Sequence, residues 1–285
     1  MMAAPYYPPG TKLLRLGAGR AGVVMMRLGH MSTFAMRSLF SIPLALRHYR
    51  AEFLRILADV TWGNGSLVVG GGTAGVIIVL GAAGGAIVGL EGYNALHLLG
   101  MEPTVGLVAS TASTRELAPI MAGLAFASQA GCRFTAQLGA MRISEEIEAM
   151  ESMAIRSIPY LVSTRLMASM LAIVPLYLMC LAANYLAVQM VVGMTGSLSA
   201  GTYQHYFQLV LNGPDIVYSL IKALLFVIIT STVQCYYGFY AAGGPQGVGI
   251  AAGRAMRSAI SLMIVVNLLL TIALWGIGAS ARLGG

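Results

Sequence analysis

Long stretches without a charged side chain alternate with short polar ones along this chain. Ser66 to Leu90 holds 25 residues with no Asp, Glu, Lys or Arg, and Leu166 to Pro214 is free of them throughout. About 20 apolar residues in a helix cross a bilayer core, so these runs predict membrane spans and exclude one large soluble domain. Five spans are expected, at about 66–90, 104–131, 163–192, 216–240 and 256–279. The second is the least regular, because Arg115 and Glu116 lie inside it. Ahead of them, Leu39, Ile42, Leu46, Tyr49, Phe53 and Ile56 recur at helical spacing with Arg37, Arg47, Arg50 and Arg55 between. That pattern predicts an amphipathic helix over 34–60, lying in the membrane interface or solvated on the surface. The expected class is an all-α integral membrane protein with an N-terminal interfacial helix and five transmembrane helices.

Charge orients the spans, since cytoplasmic flanks keep the Lys and Arg. Of the 17 such residues, those of the basic segment 1–33, the helix after it, and the connections 132–165 and 254–257 fall on one side. Only Arg282 falls on the other, with Arg115 and Lys222 inside spans. The N-terminus is expected in the cytoplasm and the C-terminus outside a plasma (inner) membrane. The net charge of +7 follows from this asymmetry beside anionic lipid and gives no argument for nucleic acid. Arginines recur where a cleaved signal would need an apolar core.

No GxxxxGK[ST] loop is present, and the lysines are Lys12 and Lys222 alone. P-loop nucleotide hydrolysis by this chain is therefore excluded. Gly71, Gly75, Gly81, Gly85 and Gly89 of the first span form small-xxx-small faces that let helices approach closely. Cys132, Cys180 and Cys235 have no metal or redox spacing and suit small buried side chains. The four histidines are scattered, and no spacing suggests catalysis or a metal site.

Against a chain only 9% charged, Met141 to Arg165 packs four glutamates and three arginines between two spans. Ser144 is placed to cap a helix with Glu145 and Glu146 in its first turn. Ile143, Ile147, Met150 and Ala154 would share one face, and Glu145, Glu148 and Ser152 another. Ile158-Pro159 is expected to break the chain before the third span. Docking of a soluble partner and an ordinary solvated connector both fit this pattern. Arg115 and Glu116 are costly in hydrocarbon unless paired, and Glu91 at the end of the first span is the expected partner of Arg115. Lys222 is expected to snorkel outward.

Three stretches together resemble the MlaE/YrbE family of ABC-transporter permeases, which serve MCE-protein lipid-transport systems: LEGYNALHLLG at 90–100, the segment from STRELAPIMAG to LVSTRLMA at 113–168, and YYGFYAAGGPQGVGIAAGRAM at 236–256. The long basic N-terminus is similar to the actinobacterial YrbE branch. The resemblance implies a permease domain over 61–279 that works as a pair, with a coupling helix at 141–160. A separate ABC ATPase dimer would bind ATP and magnesium and contact Glu145, Glu146, Glu148, Met150 and Glu151; this chain would bind no cofactor. Arg115, Glu116 and Pro119 match the family's RELGP-like motif, and the glycine-rich first span would lie near a lipid path between two copies. External MCE proteins would exchange lipid or fatty acid with the membrane. Gln129 stands where relatives commonly carry arginine and Gln137 where an acid is frequent, which suits pairing with a second, non-identical permease. An ion-coupled secondary transporter using Arg115, Glu116 and Glu91 as a relay, or a structural membrane anchor, are the competing readings.

Overall fold

The computed structural model describes residues 25–26, 29–62, 72–195 and 199–276, and no strand occurs among them. Three short helices, α1 (29–40), α2 (Ile42–His48) and α3 (Arg50–Trp62), replace the single helix expected over 34–60. The chain bends at Ser41, ahead of Pro43 in the first turn of α2, and again at Tyr49, whose φ of -124° and ψ of 37° are not helical. Phe34, Ala45, Ile56 and Val60 turn inward, while Phe40 and Leu54 stay largely exposed.

Among the described residues, four helices are long and apolar enough to cross a membrane: α4 (Gly72–His97), the run Ile158–Met194 containing α9 (Thr164–Met194), α11 (Gly213–Phe239) and α12 (Gly244–Trp275). The expected second span is a fifth rod, Val105–Ile143, in which α5 (Val105–Ala112), α6 (Ala118–Phe126) and α7 (Cys132–Ile143) are joined without a break by π turns at Ser113–Leu117 and Ala127–Gly131. Two expected boundaries move. Pro159 lies in the first turn of a π segment, Ile158–Ser163, that runs straight into α9, so it opens the third span instead of breaking the chain before it. A proline is tolerated there because a first turn has no use for its missing N–H. Likewise α12 starts at Gly244, a dozen residues earlier than expected, with Gly243 at φ 94° as its cap and Pro245 in its first turn. Arg254 and Arg257 therefore lie on the helix and not in a loop.

Large apolar side chains such as Val79, Leu186, Ile264 and Leu268 face outward, while Arg165, Lys222, Gln234 and Asn184 are buried. That inversion of a soluble protein's pattern is what a lipid solvent selects. α4 packs along α9 at the small-residue stripe. A Cβ at Gly81 would lie 2.7 Å from the Cys180 carbonyl oxygen and one at Gly85 would lie 2.2 Å from that of Asn184. Asn184 Nδ2 donates to the Gly81 carbonyl, 3.1 Å away, at the same crossing. A Gly85→Ala substitution must therefore push α4 off α9, and we expect it to lower stability by about 1–3 kcal/mol. Gly193→Ala, where nothing lies within 4 Å, is expected to be neutral or slightly stabilising. Thermal unfolding of both variants in detergent checks the pair, and equal midpoints would contradict the contact.

Candidate functional site

Two ion pairs meet where α11 and α12 flank the first π turn of the second rod. Arg115 donates to Asp215 Oδ2 from Nε at 3.2 Å and from Nη2 at 2.9 Å. Its guanidinium lies 5.5 Å from the Trp275 ring centre, and Trp275 Nε1 donates to Asp215 Oδ1 at 2.9 Å. Next to it, Glu116 Oε1 accepts from Lys222 Nζ at 3.0 Å and from Thr271 at 2.7 Å, while Oε2 accepts from Asn267 at 2.9 Å. Two cations and two carboxylates cancel, so the cluster carries no net charge into hydrocarbon, where each unpaired charge would cost a few kcal/mol.

Backbone chemistry explains why a lysine is needed. Pro119 has no N–H to give to the carbonyl four residues back, and that carbonyl belongs to Arg115. Lys222 Nζ donates to it at 2.8 Å. At the second π turn, Gln234 Nε2 donates to the Ala127 carbonyl at 2.9 Å. In the π segment ahead of α9, Arg165 Nη1 donates to the Leu161 carbonyl at 2.7 Å. All three π segments among the described residues thus have a carbonyl held by a buried side chain, and two of those side chains come from α11. Arg165, expected on a cytoplasmic flank, is 6% exposed, and its other amino group donates to Gln137 Oε1 at 3.2 Å. The neutral Gln137 meets that guanidinium where the resemblance leads one to expect an acid.

At the opposite end of the rod, α8 (Glu146–Ser152) follows a left-handed residue, Glu145 at φ 59°. Ser144 does not cap it. Its hydroxyl lies within hydrogen-bond reach of the Ala140 and Met141 carbonyls and the Glu146 carboxylate, so it closes α7 instead. Glu145, Glu146, Glu148 and Glu151 are exposed, with Glu148 paired to Arg142 and Glu151 accepting from Ser157. Ile147 is fully buried beneath them. Met150 packs on the main core and does not join the exposed acids; Met153, 64% exposed, is the methionine beside them.

Other expected residues fall elsewhere. Glu91 is exposed on α4 and does not meet Arg115; Asp215 does. Lys222 does not snorkel outward, because its side chain is fully buried. Gly81, Gly85 and Gly89 lie against α9 of the same chain. Gly75 is half-buried on α4, and Gly71 lies outside the described residues. Pro119 is buried at the start of α6. The sequence did hold signals for what was missed: a lone lysine in an otherwise uncharged span, and Asn267 and Thr271 four apart in an apolar one. No group of three or more potential metal ligands occurs among the described residues.

Comparison with known proteins matches residues 64–273 to the family model described as Permease MlaE. Relatives include a probable ABC transporter permease protein of Rickettsia bellii, 30% identical over 66% of this chain and 72% of its own length. The intermembrane phospholipid transport system permease protein MlaE of Haemophilus influenzae is 24% identical over 71% of this chain and 78% of its own. The chloroplastic protein TRIGALACTOSYLDIACYLGLYCEROL 1 of Arabidopsis thaliana is 29% identical over 65% and 53% respectively.

Replacing Lys222 with Met strands Glu116 and is expected to lower stability by about 3 kcal/mol, the low end for one partner lost from a buried pair, because Glu116 keeps 34% of its side chain exposed. Adding Glu116→Gln should recover the part of that loss due to the stranded charge, but not the part due to the Arg115 carbonyl that Lys222 also holds. A double variant no better than the single one in thermal unfolding would show that the ion pair is not what Lys222 serves.

Proposed function

The chain belongs to the MlaE permease family, and from that premise we propose that it is the membrane subunit of an ABC-type lipid transporter that carries an ATPase's stroke to a lipid path. The observation that carries this reading is the second rod. It is about 39 residues long, or ~58 Å at 1.5 Å each, with exposed acids just past one end and the ion network near the other. Force applied at Glu145, Glu146 and Glu148 enters the rod across the left-handed turn at Glu145 and then reaches Arg115 along one continuous helix.

In this reading a separate ATPase dimer holds ATP and magnesium and presents a basic socket to the acids. The absence of a P-loop from the sequence supports an ATPase in trans. The ion network clamps α11 and α12 to the rod, so a displacement of the rod moves them as a group. A second permease completes the lipid path, and the neutral Gln129 and Gln137 favour a non-identical partner. MCE proteins meet the face with few arginines, and the charge asymmetry supports a cytoplasmic N-terminus in the plasma membrane. The cargo is lipid or fatty acid, and the name of the Haemophilus influenzae relative favours phospholipid.

Changing Glu145, Glu146 and Glu148 together to Lys sets like charges against a basic socket at a cost of several kcal/mol. ATP-driven lipid movement by the reconstituted complex should fall by roughly tenfold or more, with the permease pair still assembled by gel filtration. Unchanged transport in that variant would remove the acids from the coupling surface.

A further inference from the structure

Between α11, α12 and α1 lies an open cavity of about 730 Å³ that neither the ion network nor the acid helix touches. Tyr236 of α11, Tyr240 just past its end and Met31 of α1 form one wall, and Ile250, Leu262 and Val265 of α12 form the other. A contact of 3.1 Å between the Tyr237 and Ser258 hydroxyls ties the two helices across it. Ile250 and Val265 are 50% and 56% exposed, so the groove opens on the outer surface of the bundle.

One charge lines it. Arg254 is exposed and makes no hydrogen bond or ion pair with any described residue, and no Asp or Glu contributes to the walls. From Arg254 to Val265, α12 advances about 16 Å, close to half of a hydrocarbon core of ~30 Å. The groove is therefore cationic at its rim, on the side where the arginines gather, and apolar for the depth of one leaflet.

We propose that this groove holds a resident anionic phospholipid from the arginine-rich-side leaflet, its phosphate on Arg254 and one acyl chain along Ile250, Leu262 and Val265. The unmatched guanidinium fixes the sign of the headgroup, since a planar donor fork suits phosphate oxygens. The apolar depth fixes the tail. Such a lipid would staple α1 to the α11 and α12 pair, because Met31 closes the same groove.

The test uses the full chain, purified with whatever subunits accompany it, equilibrated in nanodiscs of equal phosphatidylglycerol and phosphatidylcholine, and released for native mass spectrometry. The wild type should retain a single phosphatidylglycerol per chain. Arg254→Gln should reduce that retention about tenfold, the scale of one lost charge-assisted contact, and Ser261→Trp, filling the groove from an exposed position, should abolish it. Arg257→Gln, outside the groove, should retain lipid as the wild type does. Retention by Arg254→Gln or Ser261→Trp at the wild-type level overturns the proposal. So does a wild type that retains no lipid, as when a second permease copy fills the groove, or that shows no headgroup preference.

Discussion

Everything near the first π turn depends on one donor reaching one carbonyl. Pro119 withdraws the N–H that would have closed the helix on Arg115, and in a medium without water an open carbonyl needs a partner. Lys222 supplies it. A lysine brought that deep needs a counter-charge, and Glu116 is the acid on the adjoining residue; Arg115 beside it in turn needs Asp215. Asn267, Thr271 and Trp275 then fill the remaining donor and acceptor positions from α12. A single proline thus accounts for a chain of side chains on three helices, which is why RELAP reads as one motif although its consequences lie a hundred residues away.

The same constraint organises the close approach of α4 and α9. Helices in lipid gain little from burying apolar surface, so contact comes from small residues that let backbones meet. Gly81 and Gly85 allow an approach that any Cβ would prevent, and Asn184 adds a hydrogen bond at the crossing. The glycine stripe is used up within the chain, which leaves the exposed faces of α4, α9 and α12 to lipid or to another subunit.

Span number and class were legible because bilayer thickness sets a length that composition must satisfy, and the runs at Ser66–Leu90 and Leu166–Pro214 satisfy it plainly. The acid cluster was legible because charge is rare here. Partners were not, because pairing is decided by which helices pack together: Glu91 seemed near Arg115, yet α11 brings Asp215 there instead. The start of α12 was hidden by a glycine-rich stretch resembling a loop, although Gly-Gly-Pro is also how a helix begins. The π turns left no readable trace, and neither did Ser144 closing the helix before it instead of capping the one after.

Each π turn is, in effect, one residue added to a helix without lengthening its path in proportion. Residues advance about 100° around an α-helix, so an added or removed residue would normally swing everything beyond it to a new azimuth. A rod with two such turns behaves like a shaft with two adjustable collars. The bearing at the ion network and the bearing at the acids can each be re-indexed by a single insertion or deletion while the other stays aligned, which gives diverging sequences a way to re-aim one end of the second span without redesigning its length.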